Sequence, residues 1–341
     1  MKKKQNVTIH DIAKKLNITA STVSRALNNN PRISKETREL VKRTADKMNY
    51  QPNTMASNLR KGKGNTIGLI VPRINRFFFA DTISGIESVT TPAGYNLIIC
   101  QSNESYEKEV ENLNTLIENR VDGIIISISS ETRSSDHLKR VLETNIPLLQ
   151  YDRIIDDLDI SKVVNDNFEG AYNATCHLIE QGFKNIAHLS GPQHINIYSE
   201  RYEGFKKALN DHNMTVRNDL IFKGVLTYQF GREIAEKIIE LKEMPDAIFS
   251  AGDFAALGVM EYFKEHKIKV PQDVAIAGFA NEQFTEYTDP SITTCDQFAY
   301  EMGSVAARLL LDEIKTEEKK RLTKTISIKP KLIVRKSSIR S

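Results

Sequence analysis

The chain has 341 residues, of which 27% are charged and 40% hydrophobic, so it exceeds one small domain and has the composition of an ordinary soluble protein. Its formal net charge of +3 hides an asymmetry: residues 1–64 carry 15 Lys and Arg against 4 Asp and Glu, and the remainder carries 32 against 40. A basic amino-terminal segment on an acidic body is the footprint of a nucleic-acid reader, because phosphate contacts supply much of the affinity.

Met1-Lys2-Lys3-Lys4-Gln5-Asn6 has the charge of a signal-peptide start with no apolar run behind it, so the expectation is a cytoplasmic protein. No stretch approaches the roughly 20 apolar residues of a membrane span. Cys100, Cys176 and Cys295 are dispersed and odd in number, and read as reduced thiols. His and Cys show no metal-ligand spacing, so no metal and no cofactor is expected; His188 and His194 read as core or loop residues.

Thr8 followed by Asp11 forms a capping-box pattern, after which Ile9, Ile12, Ala13 and Leu16 recur at helical spacing. Asn17 stands where the chain must turn, and Asn tolerates positive φ. Thr19 is placed to cap a second helix whose Val23 and Leu27 face inward. Ala20, Ser21, Ser24 and Arg25 then point outward, small enough for close approach to bases and with one Arg for a bidentate contact to guanine. Pro31 and Ser34 start a third helix with Leu40, Val41, Thr44, Ala45 and Met48 as its apolar set. A helical hairpin of some other fold would share the first two helices; the third makes a helix-turn-helix domain.

Thr8-Ile9-His10-Asp11-Ile12-Ala13, Thr22-Val23-Ser24-Arg25-Ala26-Leu27-Asn28 and Tyr50-Gln51-Pro52-Asn53 resemble the headpiece of the lac-repressor/galactose-repressor family, and the resemblance covers nearly the whole chain. It implies DNA contacts from Thr8, Thr19, Ala20, Ser21, Ser24, Arg25 and Asn28. Residues 53–61 lack Gly and Pro and are followed by Gly62-Lys63-Gly64-Asn65. Alone, so short a peptide is marginal as a helix and reads as a tether. The resemblance implies instead a hinge helix whose Leu59 wedges into the minor groove beside Arg60.

From Thr66 onward, apolar runs at 67–71, 97–100, 123–128 and 146–151 alternate with helical spacing near 80–91, 106–119 and 134–143. A second series follows: strands at 186–189, 221–225, 247–250 and 274–278, helices near 168–181, 198–212, 229–241 and 254–266. Alternation of this kind predicts an α/β protein with parallel sheets, in two similar lobes. The resemblance implies a two-lobed periplasmic-binding-protein-like core crossed three times by the chain. The expected organisation is a headpiece over 1–52, hinge and linker over 53–64, and a core over 65–341. Lobe 1 then takes about 65–163 and 291–323, and lobe 2 about 164–290 and 324–337.

Ligands of open parallel sheets bind outside the carboxyl ends of strands. Candidates there that coincide with the family's effector positions are Phe78, Phe79, Asp152, Arg201, Asp253, Asn281 and Gln297. Each has a plainer reading: the phenylalanines as core, Asp152 as a turn cap, Asp253 as a helix N-cap. Carboxylates, an Arg and an aromatic face suit a polyhydroxylated ligand. Three positions depart from the family pattern, as the resemblance describes it: Arg76 replaces a Pro, Gly252 an Asn, and Ala280 an Asp that would accept hydroxyl protons. Arg73, Arg76 and Arg153 at the cleft mouth allow an acidic or phosphorylated sugar, though a solvated surface accommodates them as well.

Phosphate-loop, nucleophile-elbow and dinucleotide motifs are absent from the sequence, so a non-enzymatic role is expected. The reading is a transcription regulator, a repressor by resemblance. It binds palindromic operator DNA as a homodimer, and a small carbohydrate-like effector controls its operator affinity. A dimer is expected because the ending Val334-Arg335-Lys336-Ser337-Ser338-Ile339-Arg340-Ser341 has no heptads. The alternative is a solute-binding protein of a transport system, which the basic headpiece argues against.

Overall fold

Thr8 and Asp11 open the first helix by the reciprocal bonding their spacing predicts. The Thr8 side chain accepts from the Asp11 N–H, and the Asp11 carboxylate accepts from the Thr8 N–H at 2.8 Å. In this computed structural model, which describes residues 7–50 and 64–340, the helices are α1 (Ile9–Leu16), α2 (Ala20–Leu27) and α3 (Lys35–Lys47). Asn17 turns the chain at φ 51°, and Thr19 and Ser34 cap α2 and α3 through their hydroxyls. Ile12, Ala13, Val23, Ala26, Val41 and Ala45 form the small core. Two positions differ from the sequence reading. Leu40 is 53% exposed, because Val41 and Thr44 hold the inward stripe of α3. Leu27 only flanks the core, whose fully buried α2 residues are Val23 and Ala26.

Contacts divide the chain into Met1–Gly64 and Asn65–Ser341. The expected hinge and the boundary at 52 lie outside the described residues, as do Leu59 and Arg60. In the larger unit, β1 (Thr66–Val71), β2 (Asn96–Gln101), β3 (Gly123–Ile126), β4 (Leu148–Tyr151), β5 (Lys162–Asn165) and β11 (Thr325–Ile328) form one sheet. Its order is β11-β5-β4-β3-β1-β2 and all its pairs are parallel. A second parallel sheet has the order β7-β6-β8-β9, from β6 (Ile186–Ser190), β7 (Ile221–Lys223), β8 (Ala247–Ser250) and β9 (Ala275–Ala277). Central strands such as β3 and β8 are buried throughout, as strands covered on both faces must be. The edge strand β2 instead leaves Ile98 and Ile99 at 37% and 45% exposure.

The crossings between lobes depart from the expected boundaries. Thr325–Ile328 extends the first sheet, because Ile326 and Ile328 pack against that lobe's core; only from β12 (Lys331–Ile333) does the chain rejoin the second lobe. β10 (Thr294–Asp296) pairs with β12, and Thr293 bridges Ala277, so 293–296 stay with the second lobe. The return to the first lobe is made by the helix Ala299–Lys315. Asn165 ties the three crossings together: its Nδ2 donates to the carbonyls of Gln297 at 2.9 Å and Ile328 at 3.3 Å.

In the first lobe, α4 (Phe77–Thr90) packs against the helix Ala299–Lys315 through glycines. A Cβ on Gly85 would lie 2.0 Å from the Tyr300 carbonyl oxygen, and one on Gly303 2.1 Å from that of Thr82. Both obstacles are backbone, which cannot rotate away. Gly85→Ala is therefore expected to destabilise residues 65–341 by about 1–3 kcal/mol or more through overpacking. Urea unfolding of the parent and mutant chains measures this, and an unchanged midpoint would contradict the close approach.

Candidate functional site

The outward stripe of α2 is built as its spacing predicts. Ser21, Arg25 and Asn28 are exposed, with Ala20 and Ser24 half-buried beside them, and the caps Thr8 and Thr19 are exposed at the starts of α1 and α2. Asn28 closes α2 by donating from Nδ2 to the Ser24 carbonyl at 2.8 Å. Among the described residues the Arg25 guanidinium has no hydrogen-bond or ion-pair partner, so its fork is available to an external acceptor.

In the larger unit, one cavity of about 140 Å³ opens between the carboxyl ends of the two parallel sheets. Its wall includes Phe78, Phe79, Asp152, Arg201, Asp253 and Gln297, six of the seven residues proposed from sequence. Phe78 and Phe79 are both core and wall: they lie edge to face at 5.1 Å in the first lobe's cluster and also line the cavity. The seventh, Asn281, is not part of the wall. Its backbone turns at φ 50°; the side chain accepts from Arg335 at 3.0 Å and donates to Asp296 at 3.2 Å, and Ala280 and Glu282 line the cavity in its place.

Arg201 is buried and held on three sides. Nε donates to Asn167 Oδ1 at 2.9 Å, Nη1 donates to the Ala251 carbonyl at 2.8 Å, and the guanidinium lies 3.7 Å from the centre of the Phe279 ring. Asp253 does not cap its helix, whose N-cap is Gly252. Its carboxylate instead accepts from the Glu282 N–H at 2.9 Å and from the Thr294 hydroxyl at 2.8 Å, fixing the loop after β9. Gly278 permits this, since a Cβ there would meet Asp253 Oδ1 at 2.1 Å. Asp152 follows β4 at φ 58°, a strained conformation for a residue with a Cβ. Gln297 is anchored by Asn165, to whose Oδ1 its Nε2 donates at 3.1 Å. Burial pushes both carboxyls upward, Asp152 to about 6 despite the nearby Arg153 and Arg201, and Asp253 to about 7 despite its hydrogen bonds.

Sequence reasoning missed other wall residues or placed them wrongly. Arg153, read from sequence as solvated surface before ligand contact, is instead 9% exposed and donates from Nη1 to Glu104 at 2.7 Å. Arg76 is half-buried and stacks over the Phe254 ring at 3.8 Å. Arg73 is exposed, as a mouth residue should be. Glu104, Tyr198, Phe254 and Glu282 also line the wall. Glu104 follows β2 at a strand's carboxyl end, and Phe254 sits one residue beyond Asp253, so both carried a positional signal.

The lobes also touch directly. Asn196, in the first turn of the second-lobe helix Asn196–Asp211, accepts from the Ile154 N–H at 3.0 Å and donates to the Asp152 carbonyl at 3.2 Å. His194 pairs with the Ser130 carbonyl at 2.7 Å. The arrangement can enclose a small polar ligand and let it bridge both lobes. Among the described residues no cluster of His, Cys, Asp and Glu could hold a metal ion, and no helix is long and apolar enough to cross a membrane.

Residues 8–53 match the family of bacterial regulatory proteins described as the lacI family, and residues 175–338 match a periplasmic binding protein-like domain. Catabolite control protein A of Priestia megaterium is 36% identical over 307 residues, covering 89% of this chain and 92% of that protein. Among solved structures, a transcriptional regulator CelR–cellobiose complex aligns with a TM-score of 0.74 at 27% identity, covering 97% of this chain and 100% of that one. The lac repressor dimer bound to operator and an anti-inducer aligns with a TM-score of 0.88 at 22% identity, over 98% of this chain and 100% of that one, a likeness of fold.

The raised carboxyls carry a pH signature. A carboxyl that titrates near 7 in the fold and near 3.8 unfolded favours the fold fully below about pH 4, and that contribution is lost as pH rises through 7. Asp253→Asn removes it. Thermal melting from pH 4 to 8 should show a shallower fall in stability with rising pH for the mutant than for the parent, and parallel profiles would contradict the buried carboxyl.

Proposed function

The chain belongs to the lacI family of bacterial regulatory proteins, and on that footing we propose that it is a sequence-specific transcriptional repressor controlled by a small-molecule effector. One observation carries this reading: a single chain joins a helix-turn-helix headpiece, with an unpaired Arg25 on its exposed stripe, to a cleft walled from both lobes. The headpiece also sets it apart from a solute-binding protein of a transport system, which needs the cleft and not the basic reader.

In this reading the DNA contacts come from Thr8, Thr19, Ala20, Ser21, Ser24, Arg25 and Asn28, with Leu59 and Arg60 in the minor groove. The operator is palindromic and the protein a homodimer, for which the exposed Ile98 and Ile99 of the edge strand β2 supply an apolar face. The effector is a sugar or sugar derivative. Phe79 offers it an aromatic wall, and Asp152 and Arg201 offer it hydrogen bonds; Asp253 and Gln297 hold the surrounding loops. The protein works in the cytoplasm, where its operator is, and by binding rather than by catalysis. Effector binding is coupled to operator binding only so far as one lobe arrangement holds it better, a difference of about 1–3 kcal/mol in such systems.

Arg25→Ala should weaken binding to the preferred operator by about 1–3 kcal/mol and relax base choice at one position per half-site. Selection from a randomised DNA pool, followed by affinity measurement, tests this; identical selected sequences would remove Arg25 from the readout.

Arg201→Ala deletes charged hydrogen bonds worth about 1.5–3 kcal/mol, so effector affinity should fall on the order of 10- to 100-fold. Operator titrations with and without effector should then give nearly equal affinities. A mutant responding at the parent's effector concentration would place the effector site elsewhere.

A further inference from the structure

Two of the four carboxylates that line the cleft, Glu104 and Asp253, already accept hydrogen bonds from the protein's own groups. Glu104 Oε2 accepts from Arg153 and from the Ser130 N–H at 2.9 Å, while Oε1 faces Arg73 at 3.7 Å. Both Asp253 oxygens accept from within the second lobe. The Glu282 carboxylate faces the Arg76 charge, and that of Asp152 lies buried beside Arg153 and Arg201. Ala280, in the same wall, offers no side-chain acceptor.

The donors are in the opposite condition. The Arg76 guanidinium makes no hydrogen bond among the described residues and rests on the Phe254 face. Arg153 is nine-tenths buried, lines the cavity and has an Nε with no partner, a position that costs stability unless something accepts from it. Arg201 engages Nε and Nη1 only, leaving Nη2. A neutral sugar offers hydroxyls that need acceptors at least as much as donors. A phosphoryl or carboxylate group offers only acceptors, in the geometry a guanidinium fork matches.

We propose that the effector of this cleft carries an oxyanion, a phosphoryl or carboxylate group on a small hydroxylated body, and that Arg76 and Arg153 are the residues that select it. This deepens the effector reading above and rests on it. Arg153 supplies the fixed contact from the first lobe. Arg76 leaves the Phe254 ring to take the anion from the mouth, so the same movement clears an aromatic face for the body of the ligand.

The test is calorimetry and thermal melting on the full chain at constant ionic strength. The probes are inorganic phosphate, glucose with glucose 6-phosphate and glucuronate, and ribose with ribose 5-phosphate. At least one anionic member should bind at least tenfold tighter than its neutral parent; the phosphate and carboxylate arms show which oxyanion is preferred. Arg76→Gln and Arg153→Gln should each remove most of that preference, and Arg153→Lys should restore part of it. Arg76 is half-exposed, so Arg76→Gln keeps the test valid if the Arg153 variants fail to fold. Neutral sugars binding as tightly as their anionic partners would overturn the inference and leave the effector reading standing. So would an anion preference that survives Arg76→Gln. Failure of every probe to bind would overturn the oxyanion assignment, and an operator affinity indifferent to all of them would count against the effector reading as well.

Discussion

The cleft depends on one buried amide. Asn165 ends β5 where the chain first leaves the first lobe, and it bonds Gln297, 132 residues later, and Ile328, 163 residues later. These are the three crossings between lobes. A single side chain therefore holds all three crossings at one point, while each sheet keeps its own hydrogen bonds. Loss of this amide would take the side-chain donor from the Gln297 carbonyl, a cost of about 1–3 kcal/mol if it stays buried, while the Ile328 carbonyl keeps the Asp166 N–H at 2.9 Å.

Around that point the charges fall into two groups. Arg201 and Asp253 are held by partners within the second lobe, and they form a floor already arranged before any ligand arrives. Such groups lose little freedom on binding. Arg73, Arg76 and Glu104 sit nearer the mouth, in contacts that are longer, stacked or partly exposed. Positive φ at Asp152, Ala280 and Phe298 places backbone strain at the carboxyl ends of strands, beside the cleft and the crossings.

What the sequence made legible was local. The capping box at Thr8, the turn at Asn17 and the alternation of strands and helices each follow from a few neighbouring residues, and the structure repeats them. The rule that ligands gather at strand carboxyl ends, together with the family resemblance, pointed to six residues that the wall brings together. Long-range partners were what stayed hidden. β5, β10, β11 and β12 are three or four residues long and acquire meaning only from pairing across the chain. Asn281 was misplaced because Arg335, 54 residues away, captures its side chain. Arg153 reads as solvated until Glu104, 49 residues earlier, is seen to neutralise it.

The edge of the first sheet carries a different kind of consequence. β2 ends that sheet with Ile98 and Ile99 half in water and an open row of backbone groups beside them. Edges of this kind are templates for further association unless something covers them. A cover supplied by a second copy makes stability a matter of mass action. Dilution then removes it and abundance restores it, so the number of molecules in the cell becomes a variable of the folded state itself.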